Sequence, residues 1–85
     1  METNNSTSVR SISDIALEIF AKWKNPYFGA VPYLSAMRTL QSINSDYGAD
    51  SASDIINYFL SNASTWRGED AKRIKTELKS LLKQK

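Results

Sequence analysis

Trp23-Lys24-Asn25-Pro26-Tyr27-Phe28-Gly29-Ala30-Val31-Pro32-Tyr33 divides the chain. It holds both prolines, one of the three glycines and four of the nine aromatic residues. Pro26 disfavours helical geometry at Asn25, so it ends any helix arriving from the N-terminal side. Pro32 fits the first turn of a helix leaving on the other side, where a missing N–H costs nothing. Gly29 lets the backbone turn between the two. The local expectation is two helices joined by a short aromatic connector.

The flanking sequence extends that pattern. Upstream, Ile12, Ile15, Ala16, Ile19, Phe20 and Trp23 recur at steps of three and four, one apolar face spanning ~140° of a helix. Ser11-Ile12-Ser13-Asp14 has capping-box spacing at its start. Glu18 and Lys22 form an i,i+4 pair in the favourable order. Downstream, Tyr33, Ala36, Met37, Leu40 and Ile43 make a second stripe, and Leu34, off that stripe, predicts burial on more than one side. Asn44-Ser45-Asp46-Tyr47-Gly48 reads as a stop, with Gly48 available for a left-handed cap. Ser51-x-x-Asp54 repeats the capping-box spacing before a third stripe of Ala52, Ile55, Ile56, Phe59, Leu60 and Ala63. A fourth helix from Gly68 or Glu69 carries Ala71, Ile74, Leu78, Leu81 and Leu82. Glu69–Arg73 and Arg73–Glu77 are expected i,i+4 pairs on its solvent face. No segment sustains period-two alternation, so no sheet is expected. The predicted fold is all-α: a small bundle of about four amphipathic helices with short loops, over residues 11–85, after a disordered polar tail over 1–10. The expected core is Ile15, Ile19, Phe20, Leu40, Ile55, Phe59, Ile74 and Leu78.

Composition narrows function. At 85 residues the chain is one domain at most, and 41% apolar residues suit a globular protein. It has no cysteine and no histidine. That removes disulfides, thiolate chemistry, Cys- or His-based zinc sites and histidine acid/base catalysis. Many serines are present without a histidine to activate one, so no catalytic residue, cofactor or metal site is assigned and an enzyme is not expected. Residues 44–55 faintly resemble a calcium loop, but Ala49 and Ile55 stand where glycine and glutamate are needed. No apolar run is long enough to cross a membrane and no signal peptide opens the chain, so a cytoplasmic protein is expected.

Charge is unevenly placed. Residues 1–63 carry four basic and six acidic side chains, net −2, and residues 64–85 carry seven and three, net +4. Lys72, Lys75, Lys79 and Lys83 fall in a ~80° strip of the fourth helix, a nucleic-acid-binding alternative if they track phosphates. A solvated flank covering the core edge accounts for them better, since no base-reading residue accompanies them. The aromatic candidates for a protein partner are Tyr27, Tyr33 and Trp66, with Arg67 beside the last. The structural alternative folds these rings back onto a small core; of the connector pair, Tyr27 is expected exposed and Phe28 buried.

The run from Trp23 to Tyr33 with Leu34, Tyr47-Gly48-Ala49-Asp50-Ser51, and Phe59-Leu60 with Asn62-Ala63 and Trp66-Arg67-Gly68-Glu69 together resemble small uncharacterised helical proteins encoded by bacteriophages and prophages. The resemblance spans about residues 15–80. It implies a viral accessory protein in the host cytoplasm and assigns no site residue. The function expected is a non-enzymatic protein-interaction module. Its partner is an unidentified protein or a second copy of the chain.

Overall fold

The computed structural model describes residues 10–44, 46–47 and 50–84. The first helix, α1, runs Ile12–Lys22. The hydroxyl of Ser11 accepts the Asp14 N–H at 3.0 Å, and the next two donors are met from outside. The N–H groups of Ile12 and Ser13 donate to the carbonyls of Gln41 and Leu40 at 3.2 and 2.9 Å. A helix start leaves such donors orphaned, so this contact fastens α1 to the chain that leaves the second helix. That second helix, α2, is only Val31–Met37, with proline in its first turn as expected. It stops short of the stripe read over Tyr33 to Ile43. The Thr39 hydroxyl donates to the Ala36 carbonyl at 2.7 Å, and the chain turns so that the carbonyls of Leu40 and Gln41 face α1. Leu40 and Ile43 stay buried without being helical.

A two-residue antiparallel ladder follows, β1 (Asp46–Tyr47) on β2 (Asp50–Ser51), with Asp46 opposite Ser51 and Tyr47 opposite Asp50. It is a turn closure and adds no layer to the bundle. The expected left-handed cap at Gly48 lies outside the described residues, as does the tail over 1–9. Helix α3, Ala52–Ser61, opens on the full capping box: Ser51 Oγ accepts from Asp54 N–H, and Asp54 Oδ2 from Ser51 N–H. Helix α4, Glu69–Gln84, begins beyond Gly68, whose φ of 108° is left-handed. Such a backbone suits only glycine at low cost.

The helices close a ring: α1 packs on α2 and α4, and α3 packs on the same two. Ile12, Ile15, Ile19, Leu34, Met37, Leu40, Ile56, Phe59, Ile74 and Leu78 fill the centre, all essentially sealed from solvent. Phe20 does not join them. It is 37% exposed, because it lies at the edge of the wide arc read from the α1 stripe.

Candidate interaction surface

Two stretches of this chain, 25–37 and 55–66, contain no Asp, Glu, Lys or Arg. They form the aromatic connector with α2, and the body of α3 with the connector after it. Because α2 packs against α3, their outer sides join into one uncharged face. Its apolar members are the exposed large residues Tyr27, Phe28, Val31 and Tyr58.

Two ring pairs mark the face. The 3-10 turn Phe28–Ala30 leads into α2 and places the Tyr27 and Phe28 rings side by side, 4.9 Å apart. Gly29 lies beneath Tyr27: a methyl group there would stand 2.5 Å from Tyr27 Cε2 and 3.0 Å from Asn62 Oδ1. Asn62 in turn donates from Nδ2 to the Tyr58 carbonyl, one turn back, at 2.8 Å. Tyr58 meets Tyr33 with ring centroids 5.4 Å apart. Tyr27 and Phe28 thus meet ring to ring, as do Tyr33 and Tyr58, and the two pairs are linked through Gly29, the Asn62 amide and the Tyr58 backbone. Gly29 lies within the turn as expected, and serves it by close approach to Tyr27 with no left-handed backbone.

Several expectations change here. Phe28 is 79% exposed, the reverse of the burial expected for it, and Tyr27 is 44% exposed. A three-residue turn has no periodicity from which ring direction could be read. Trp66 is 5% exposed and lies flat on Trp23, centroids 5.5 Å apart and planes 11° apart. Trp23 also sets its edge against Phe59 at 6.3 Å. Trp66 is therefore a wall of the core and is withdrawn from the interaction candidates. Tyr33 is half-buried and Arg67 is exposed. Tyr58 was missed; its place outside the third stripe, four residues before Asn62, was the available signal.

The charged groups lie elsewhere. Arg10 reaches Glu77 with Nε and Nη2 at 2.9 and 2.6 Å, and Glu18 with Nη1 at 2.7 Å. Arg73 donates to Glu18 at 2.6 Å and Asp70 at 3.1 Å, and Lys22 stands 3.9 Å from Asp70. These contacts replace the within-helix pairs expected at Glu18–Lys22, Glu69–Arg73 and Arg73–Glu77. Arg10, expected in a free tail, is held between α1 and α4. Arg73 and Arg10 hold the Glu18 carboxyl below its usual range, and the bond to Glu77 leads the effects that raise the Arg10 guanidinium still further.

The lysine strip is broken. Lys75 bends inward and donates from Nζ to the carbonyls of Ala63 and Trp66 at 2.6 and 2.7 Å. Burial pushes its pKa below the usual lysine range, and the nearby charges of Lys79 and Arg67 add to the effect. Lys72, Lys79 and Lys83 remain exposed, and their ammonium groups have no hydrogen bond or ion pair among the described residues. A cavity of about 250 Å³ lies between Arg10, Ile12, residues 41–44 and Leu81, away from the aromatic path and below the usual size for a small-molecule site. Among the described residues no cluster of three potential metal ligands occurs, and no helix is long and apolar enough to cross a membrane. Comparison with protein-family models, with curated proteins and with solved structures found no match to this chain.

Proposed function

We propose that this protein is a non-enzymatic interaction module that binds a protein partner through the uncharged aromatic face of α2 and α3. One observation carries the proposal: the ring pairs Tyr27–Phe28 and Tyr33–Tyr58 lie on segments without a charged side chain, linked through Gly29 and Asn62. Rigid aromatic rings supply contact area at low entropic cost, and Ser and Asn supply adaptable hydrogen bonds. Ser35, Asn57 and Ser61 are exposed on the same two segments. The sequence candidates Tyr27 and Tyr33 belong to this surface, with Phe28 and Tyr58 added and Trp66 removed.

The resemblance to phage- and prophage-encoded proteins supports an accessory role in a host cytoplasm. A photo-crosslinking residue at position 28, compared with one at Asp14 on the exposed side of α1, tests the surface in producing cells. A discrete partner adduct from position 28 alone is the expected result. Equal labelling from both positions, or none from position 28, overturns the proposal. The nucleic-acid alternative rests on Lys72, Lys79 and Lys83, since Lys75 is held by two carbonyls.

A further inference from the structure

A cationic stretch of chain begins close to the aromatic face. The connector after α3 begins at Asn62, which abuts Gly29 beneath the Tyr27 ring. Five residues later it reaches Arg67, at most ~18 Å away even if fully extended. It is not extended: the Trp66 N–H folds back to the Ala63 carbonyl at 3.1 Å. Lys75 clasps this turn from α4 through the Ala63 and Trp66 carbonyls. That clasp brings the Lys75 charge within reach of those of Arg67 and Lys79.

The two flanks of α4 differ. Asp70 and Glu77 are paired with Arg73, Lys22 and Arg10. The flank toward the connector carries Lys72, Lys79 and Lys83 with no carboxylate partner among the described residues. Arg67 likewise has none and presents a planar guanidinium suited to a carboxylate. An uncharged aromatic floor with an unneutralised cationic rim attracts a ligand that is apolar in one part and negative in the next.

We propose that the partner binds through an acidic segment containing an aromatic or aliphatic anchor. The anchor seats on Tyr27, Phe28 and Tyr58, and neighbouring Asp or Glu side chains meet Arg67 and Lys79 across the connector. This rests on the interaction face proposed above and names the chemistry of its occupant. A peptide is favoured over a nucleic acid on two grounds. Lys75 is turned away from the line it would need to complete, and Glu69 opens the same helix with a charge that repels phosphate.

Selection of random linear dodecapeptides displayed on yeast, with the intact protein as bait, tests the proposal. The expected result is enrichment of Asp and Glu next to an aromatic or aliphatic residue. The double variant Arg67→Glu/Lys79→Glu should weaken the selected peptides by about tenfold or more. The variant Phe28→Ser should weaken them separately. Enriched peptides that lack acidic residues, or that bind the charge-reversed variant equally well, overturn the acidic chemistry and leave the aromatic face standing. Peptides indifferent to Phe28→Ser, or no enrichment at all, overturn both. An oligothymidylate that binds at physiological salt and is displaced by Phe28→Ser assigns the surface to single-stranded nucleic acid and also overturns the proposal.

Discussion

The indole of Trp66 lies parallel to that of Trp23, 5.5 Å between centroids, and each closes a different connector. Trp23 ends α1 and precedes the aromatic turn; Trp66 sits in the connector that leads to α4. Their stack therefore fastens the two connectors to one another. Trp66→Ala should cost about 3–5 kcal/mol, as for other large buried aromatics. Arg67→Ala, one residue on and exposed, should lie within about 0.5 kcal/mol of the parent. Urea unfolding of the two variants measures both.

Phe59 and Phe20 make a second contrast. Phe59 is sealed in the core and touches Trp23, whereas Phe20 stands at the rim. Phe59→Ala should cost about 3–5 kcal/mol, a large share of the stability of a small domain. Phe20→Ala should cost about 1–2 kcal/mol, in proportion to the part of the ring it buries. If thermal melting shifts equally for both, the orientation of α1 is wrong.

The ionic seam between α1 and α4 makes stability depend on acid. Bonds from Arg73 and Arg10 keep the Glu18 carboxyl charged below its ordinary range, so unfolding takes up a proton there. The contribution of Glu18 is complete above the unfolded glutamate value of about 4.3, and is lost as pH falls through its depressed folded value. Urea midpoints measured from neutral to strongly acid pH should therefore decline less for Glu18→Gln than for the parent. Parallel curves would show that Glu18 takes no part in the linkage.

Two glycines should respond differently to alanine. Gly68 has a left-handed φ, so Gly68→Ala should cost about 1–2 kcal/mol by backbone strain, although nothing crowds the site. At Gly29 the obstacle is the Tyr27 ring and the Asn62 amide, both movable side-chain ends. Gly29→Ala should leave the fold intact and displace Tyr27, which changes in the Tyr27 and Asn62 NMR signals would report.

The fold was readable where local chemistry decides it. The N-cap at Ser11, the capping box at Ser51, Pro32 at a helix start, Gly68 before α4 and the third stripe all depend on residues within one or two turns of each other. What escaped depends on distant chain. Glu77 answers to Arg10, 67 positions away, so no helical spacing could have predicted its partner. Lys75 belongs by angle to a lysine strip, yet carbonyls of the preceding connector draw it inward. Phe28 and Trp66 both sit in short connectors, where ring direction follows from the packing of four helices. Tyr27 and Tyr33 were found as surface candidates because they are aromatic and lie beside prolines. Tyr58 was not, because α3 was read for its buried stripe.

The most direct test of the central claim is affinity capture from producing cells with two folded variants side by side. One is Phe28→Ser/Tyr58→Ser and the other Lys72→Ser/Lys83→Ser, with helicity checked by circular dichroism. The aromatic variant should lose the partner that the parent retains, and the lysine variant should keep most of it. Retention by the aromatic variant together with loss by the lysine variant would contradict the account and place function on α4.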